Sequence, residues 1–92
     1  MAGSRTALAD IFQAAGKAHH QAFAATNGDD PEWPEWYARH LAGVLSELLG
    51  AELRPDALAT DFKSVDAEMR ARDPGAEWTL YYADWFLARR SA

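Results

Sequence analysis

The stretch that decides the fold is Asp30-Pro31-Glu32-Trp33-Pro34-Glu35-Trp36-Tyr37-Ala38, which returns in looser form as Asp73-Pro74-Gly75-Ala76-Glu77-Trp78-Thr79-Leu80-Tyr81-Tyr82-Ala83. The aligned aromatic pairs are Trp33 with Trp78, Trp36 with Tyr81, and Tyr37 with Tyr82. An aspartate before a helix accepts hydrogen bonds from free backbone N–H groups, and proline at the first helical position forfeits no hydrogen bond. Each copy is therefore predicted to open a helix that carries large aromatic side chains in its first turns.

The composition of the chain excludes several classes of protein. Its 92 residues are enough for a single domain, 1–92, with a modest core, and a hydrophobic content of 49% argues against disorder. The net charge of -5 disfavours nucleic acid as a partner and favours a basic protein surface. The absence of cysteine excludes disulfides and thiolate sites. No apolar run suits a signal peptide or a membrane span, so we expect a cytoplasmic protein that does not enter membranes.

Apolar residues at helical spacing predict four helices, and no period-two alternation indicates a strand. The third helix is the least regular, because Thr60-Asp61 could interrupt it and leave only a turn before Thr60. Short connections favour antiparallel packing of consecutive helices. The predicted fold class is all-α: a small antiparallel bundle of four helices, built as two helical hairpins related by a loose internal repeat. The predicted spans are Ser4 or Thr6 to Thr26, Asp30 or Pro34 to Leu49, Pro55 to Arg72, and Asp73 to Arg89.

Two local expectations follow from these spans. Four side chains in the middle of regular apolar stripes are predicted to be buried: Leu41, Val44, Leu45 and Phe62. Asp30 and Asp73 are each predicted to cap a helix by accepting from a backbone N–H two or three residues further on.

Two runs of the sequence carry a resemblance to a known group of proteins. They are His19 to Phe23, which reads HHQAF, and Thr26 to Ala38, which reads TNGDDPEWPEWYA. Together they resemble a signature of small helical bacterial proteins of unknown function. The resemblance implies an all-helical bacterial domain, and it assigns no functional residue.

Two histidines form one candidate site. His19 and His40 lie at similar distances from the connection between the first two helices, so both fall in one layer of the bundle. With Tyr37 and Tyr82 they could hold a small ligand or a metal ion. The alternative, which we favour, is that each histidine is satisfied at the edge of the core by a tyrosine, an aspartate or a carbonyl. No usual metal-ligand spacing occurs, so we expect neither metal nor cofactor.

The second candidate site is an interaction surface. Carboxylates surround the first aromatic motif, and arginine side chains bind well to tryptophan faces beside carboxylates. The predicted fourth helix carries its large aromatics on one side and Leu80, Ala83 and Leu87 on the other. Either this helix is central, with other helices on both flanks, or its second stripe contacts another subunit, which is the alternative we favour. The predicted partner-binding residues are Glu32, Trp33, Glu35, Trp36, Leu80 and Leu87.

No sequence feature indicates an enzyme, because the chain has no serine placed for a catalytic triad and no glycine-rich phosphate loop. The sequence predicts a small acidic, non-enzymatic binding or interaction module, whose partner is a protein or a second copy bound through helix four. Two alternatives remain. One is a small-ligand or metal-binding bundle with a site between His19 and His40, and the other is a structural accessory subunit of a larger complex.

Overall fold

The structure, a computed structural model, describes residues 4–91, and it consists of four α-helices joined by short connections. A single turn of 3₁₀-helix, Ala24–Thr26, follows the first α-helix. No strand occurs within residues 4–91, so the predicted all-α class is confirmed. The helices are α1 (Ser4–Ala22), α2 (Trp33–Leu49), α3 (Pro55–Arg72) and α4 (Trp78–Ser91).

Neighbouring helices run antiparallel, as predicted. Arg5 near the start of α1 pairs with Asp84 in the middle of α4, at 2.6 Å, whereas Gly16 further along α1 lies beside Trp78 at the start of α4. The most extensive packing joins α1 to α4 and α2 to α3. Because the bundle is antiparallel, the ends of α1 and α3 and the starts of α2 and α4 meet at one end of the molecule. Both Asp-Pro segments therefore lie at that end.

The repeated motif sets the start of two helices, but through its tryptophan and not through its Asp-Pro pair. α2 begins at Trp33, and α4 begins at the aligned residue, Trp78. Asp30 accepts from the Glu32 backbone N–H at 3.0 Å, so its predicted bond is confirmed, although it closes the turn before α2. Trp33 is helical although it precedes Pro34, a position at which helical geometry is disfavoured.

The predicted capping role of Asp73 is wrong. Its backbone ends α3 by donating to the Met69 carbonyl, and within residues 4–91 its carboxylate caps no helix. The extra pair Gly75-Ala76 separates Asp73 from the start of α4 and takes its carboxylate out of range. Glu77 caps α4 instead, because its Oε2 accepts from the Leu80 backbone N–H at 3.1 Å and from the Thr79 hydroxyl.

The other helix ends agree with the sequence except in detail. The regular part of the first helix ends at Ala22, four residues before the predicted end, and the chain reverses through Asn27 and Gly28, both at positive φ. α3 is continuous through Thr60-Asp61. The Thr60 hydroxyl donates to the carbonyl of Asp56 one turn earlier, at 3.3 Å, which satisfies this polar side chain within the helix.

The core is built around three phenylalanines, one each from α1, α3 and α4. Phe12, Phe62 and Phe86 are fully buried, and their rings lie in mutual contact with centroids 5.5–6.1 Å apart. Such contacts add to the free energy that burial of the rings supplies. These three rings form the aromatic centre of the core, and α2 adds the buried side chains of Ala38, Leu41 and Leu45.

Three of the four residues predicted to be buried are confirmed. Leu41, Leu45 and Phe62 have at most 3% of their surface exposed, but Val44 is 40% exposed. Successive side chains are about 100° apart around the helix axis, so Val44 lies at the edge of the face that carries Leu41 and Leu45. α3 and α1 cover that face and leave Val44 on the outer side.

The second apolar stripe of α4 is largely internal. Ala83 is fully buried, and both Leu80 and Leu87 are partly buried against the core. The helix has α1 on one flank and α3 on the other, as the alternative of a central fourth helix predicted. Association through α4 stays a prediction. Within residues 4–91, none of the helices combines the length and the apolar character that a bilayer crossing requires.

Candidate functional site

An open cleft of about 400 Å³ lies at the end of the bundle that carries both Asp-Pro segments. All four helices contribute to it, as does the connection between α1 and α2. Its lining residues are His19 from α1; Gly28, Asp29 and Asp30 from the connection; Trp33 and Tyr37 from α2; Asp66, Met69 and Arg70 from α3; and Trp78 and Tyr82 from α4.

Four aromatic side chains form one continuous wall of the cleft. The ring centroids of Trp33 and Tyr37 are 5.9 Å apart, those of Tyr37 and Trp78 are 6.3 Å apart, and those of Trp78 and Tyr82 are 5.1 Å apart. The corresponding angles between ring planes are 81°, 70° and 78°, so each ring stands nearly perpendicular to the next. The internal repeat explains this arrangement, because the two α2 rings and the two α4 rings occupy equivalent positions in the motif.

A glycine in the middle of α1 makes room for this wall. A Cβ atom on Gly16 would lie 3.0 Å from the Trp78 ring and 3.6 Å from the Tyr37 hydroxyl. Glycine inside a helix costs roughly 0.5–1 kcal/mol relative to alanine. At Gly16 the absence of a Cβ atom lets the Trp78 ring lie close to the α1 backbone.

His19 and Asp30 form a polar pair on one side of the cleft. The His19 Nε2 and the Asp30 Oδ2 atoms are 3.1 Å apart, and each side chain is only 9% exposed. The His19 ring stacks on Tyr37, with centroids 5.2 Å apart and planes 20° apart, and it meets the edge of Trp36 at 4.9 Å. Because Asp30 also accepts from the Glu32 N–H, one carboxylate connects the end of α1 to the start of α2.

Asp66 performs a similar role on the opposite side. Its Oδ1 accepts from the Tyr82 hydroxyl at 3.2 Å, and its Oδ2 lies 2.9 Å from the Arg70 Nε. Burial, followed by the neighbouring Asp66 carboxylate, raises the pKa of Tyr82 well above its ordinary value. Burial also raises the pKa of Tyr37. Both phenols that line the cleft therefore stay neutral through the physiological range.

The charge of the cleft is predominantly negative. Three carboxylates line it, at Asp29, Asp30 and Asp66, against one guanidinium, at Arg70. The Arg70 side chain is 74% exposed at the rim and is paired with Asp66. Aromatic faces with surplus carboxylate charge attract a cation in two ways, through the ring quadrupole and through the charge itself.

The cleft unites three of the four residues of the predicted histidine–tyrosine ligand site. His19, Tyr37 and Tyr82 line it, but His40 does not. The His40 ring is exposed and stacks on the outer side of Trp36, with centroids 4.7 Å apart. Trp36 lies between the two imidazoles, so the predicted layer with both histidines facing inward is wrong. His19 instead has an aspartate partner, as the favoured alternative predicted.

Of the six residues predicted to bind a partner, only Trp33 lines the cleft. The exposed Glu32 precedes α2, while the Glu35 carboxylate turns toward α3 and lies 3.2 Å from the Lys63 ammonium. Trp36 packs between the two histidine rings, as described above. Leu80 and Leu87 belong to the partly buried shell of the core.

Sequence reasoning missed the contribution of α3, namely Asp66, Met69 and Arg70. A usable signal was present, since Asp66 and Arg70 are spaced i,i+4 in the half of α3 that runs toward the aromatic end of the bundle.

Within the described part of the chain, no group of three or more histidine, aspartate or glutamate side chains could hold a metal ion. No protein-family model, curated protein or solved structure matches the chain. The resemblance of the Thr26 to Ala38 stretch to small helical bacterial proteins therefore stays a prediction.

Proposed function

We propose that this chain is a non-enzymatic binding module that receives a cationic group of a basic partner protein in its aromatic cleft. The observation that carries the proposal is the meeting of four aromatic rings and three aspartates in one open cleft to which every helix contributes. This refines the acidic and aromatic surface expected from the sequence and moves its centre from Glu32 and Glu35 to the cleft. A cytoplasmic location stays a prediction from the sequence.

The physical basis is the desolvation of a cation against aromatic faces. A cation over a tryptophan or tyrosine face is stabilised by about 0.5–1 kcal/mol at exposed sites and by about 2 kcal/mol or more when water is excluded. Surplus carboxylate charge at the site also speeds association with a basic surface. The net charge of -5 acts in the same direction over the whole molecule.

The chain already holds one of its own cations in this manner. The Arg89 guanidinium lies 4.5 Å from the centroid of Trp85 and 3.6 Å from the Asp61 carboxylate. An aromatic face and a carboxylate together thus position a cation on the surface of α4. The cleft offers the same two kinds of group with more rings. Among the described residues, no lysine or arginine side chain lies over the rings of the cleft.

A free small molecule is a second candidate occupant. Three of the four residues of the alternative ligand site, His19, Tyr37 and Tyr82, do line the cleft, and a volume of about 400 Å³ suits a small ligand. A protein partner would place only one side chain in the cleft and would contact its rim as well. The two occupants share the same cationic chemistry and differ in what surrounds the charge.

Calorimetric titration with short peptides tests the proposal. The peptides carry lysine, arginine or uncharged norleucine at one central position between neutral residues. We expect saturable binding of the lysine or the arginine peptide and no binding of the norleucine peptide. If N-acetyl-lysine amide binds as tightly as the lysine peptide, the small-ligand candidate is favoured, because the flanking residues then add nothing.

Two tryptophan variants provide the matched control. Trp33→Leu removes a ring from the cleft and should weaken binding by about tenfold or more, since one desolvated cation–ring contact is of that order. Trp85→Leu removes a half-buried ring outside the cleft and should leave binding unchanged. Equal affinity of all three peptides, or equal effects of the two variants, would contradict the proposal.

A further inference from the structure

We infer that the group received by the cleft is an alkylated ammonium, such as a trimethylated lysine side chain, and not a guanidinium. The inference deepens the proposed function and rests on it, because it names the cation that the aromatic cleft selects. It follows from two features of the site: the mutual orientation of the rings and the bonds that two of the carboxylates, Asp30 and Asp66, already make.

The rings suit a cation that is round. Along the wall from Trp33 through Tyr37 and Trp78 to Tyr82, adjacent ring planes differ by 70–81°. The His19 ring covers one face of Tyr37, but the remaining faces point in more than one direction. A compact cation in the angle between two such rings can contact a face of each. A guanidinium is planar and stacks well on one face at a time. An alkylated ammonium presents the same charged methyl surface in every direction.

The carboxylates disfavour a guanidinium. Both oxygens of Asp30 are engaged, by the Glu32 N–H and by His19, and both oxygens of Asp66 are engaged, by Tyr82 and by Arg70. A guanidinium binds tightly when it forms two parallel hydrogen bonds to one carboxylate. Each oxygen of these two carboxylates is already engaged in one bond, so a guanidinium fork would have to share its acceptors with the partners already there. A fully alkylated ammonium has no N–H to satisfy, and it gains from the negative charge without displacing any of these bonds.

Asp29, the third carboxylate of the cleft, and the chain's own Arg89 support the same choice. Asp29 is exposed at the rim, where one ion pair contributes about 0–1 kcal/mol. Where the described chain holds a guanidinium against an aromatic ring, at Arg89, it offers a single ring face, Trp85, and the Asp61 carboxylate. The cleft has the opposite composition: many ring faces and engaged carboxylates.

The test compares cations of equal charge and different shape on the intact chain. One arm measures calorimetric affinity for a peptide with trimethyl-lysine, lysine or arginine at its central position. A second arm uses choline and its uncharged tert-butyl analogue, in which carbon replaces nitrogen. We expect trimethyl-lysine to bind about tenfold or more tightly than arginine, and choline to exceed its uncharged analogue by a similar factor.

Each outcome decides between the two proposals. Arginine binding as tightly as trimethyl-lysine would overturn the inference and leave the proposed function standing. Equal binding of choline and its uncharged analogue would overturn the inference, because the cleft would then be merely apolar. No saturable binding by any basic peptide or by choline would overturn both. Trp33→Phe keeps an aromatic face and should retain more affinity for trimethyl-lysine than Trp33→Leu, which a purely structural role of Trp33 would not require.

If the inference holds, the two arms also identify the source of the cation. A trimethyl-lysine peptide that binds more tightly than choline indicates a protein partner, since the residues beside the modified lysine then contribute. Choline that binds as tightly as the peptide indicates a free small molecule. Both results support selection of an alkylated ammonium.

Discussion

Replacing Asp30 by alanine removes the side chain that connects two helices beside the cleft. Its Oδ1 accepts from the Glu32 N–H at 3.0 Å, and its Oδ2 lies 3.1 Å from the His19 Nε2. Asp73 is the matched control, because it holds the aligned position in the second Asp-Pro pair. Asp73 is exposed, and within residues 4–91 its carboxylate makes no side-chain hydrogen bond or ion pair. The same substitution therefore removes two interactions at one site and none at the other.

The expected loss follows from what Asp30→Ala leaves behind. The Glu32 amide is near solvent, so its lost bond costs about 0.5–1.5 kcal/mol. The His19 side chain is 9% exposed, and a buried polar group without its partner costs about 1–3 kcal/mol. Asp30→Ala should thus lower the free energy of unfolding by about 2–4 kcal/mol, whereas Asp73→Ala should change it by less than about 0.5 kcal/mol.

Urea unfolding followed by far-ultraviolet circular dichroism measures both values. Asp30→Asn separates the two contributions, because the amide oxygen can still accept from Glu32 while the carboxylate charge beside His19 is lost; its cost should be intermediate. Equal destabilisation by Asp30→Ala and Asp73→Ala would refute the reasoning, since both would then act through the common Asp-Pro turn. A cost below about 1 kcal/mol for Asp30→Ala would show that His19 finds another partner.

Three further predictions concern the bundle. Leu45→Ala should cost about 2–5 kcal/mol because the side chain is fully buried, whereas Val44→Ala, at a 40% exposed position, should cost less than about 1 kcal/mol in the same urea titration; equal costs would place both residues in the core. Gly43→Ala should raise stability by roughly 0.5–1 kcal/mol because a Cβ atom there meets open space. Gly16→Ala should gain less or lose stability, because its Cβ would lie 3.0 Å from the Trp78 ring. Equal gains for the two variants would show that the Trp78 ring moves aside freely. Above about pH 10 the unfolded chain releases the Tyr82 proton while the folded chain retains it, so the free energy of unfolding should fall by up to about 1.4 kcal/mol per pH unit. Tyr82→Phe should reduce that slope, as measured by urea titrations at alkaline pH.

Much of the fold could be predicted from periodicity and from the repeat. The aligned tryptophans Trp33 and Trp78 begin equivalent helices, and the short connections require antiparallel neighbours. The errors came from single residues. Asp73 does not cap α4, because two extra residues separate it from the helix start, and Val44 lies one position off the buried face. A sequence pattern fixes the direction of an apolar face to within about one residue of rotation, which does not suffice to decide burial at its edge.

The site could be predicted only in part. The sequence predicted a shared site for His19, Tyr37 and Tyr82, which do line one cleft, but which neighbour each side chain contacts depends on the rotation of the helices. Trp36 turned out to separate His19 from His40. The contribution of Asp66 was missed, although the predicted antiparallel packing brings the end of α3 to the aromatic end of the bundle and Asp66 is spaced i,i+4 from Arg70.

Several features that break local rules lie around the cleft, whereas the mid-helix Gly43 of α2 lies outside it. A glycine stands in the middle of α1 at Gly16, a histidine and an aspartate are buried as a pair, and Asn27 adopts a left-handed conformation. Each has a local cost, and a bundle optimised for stability alone would replace the pair with apolar side chains. Local conflicts in a small domain are expected where a site has to be held open. Because the glycine admits Trp78 and the pair connects α1 to the α2 start, both conflicts position groups of the cleft. That distribution favours a binding site over a gap in packing.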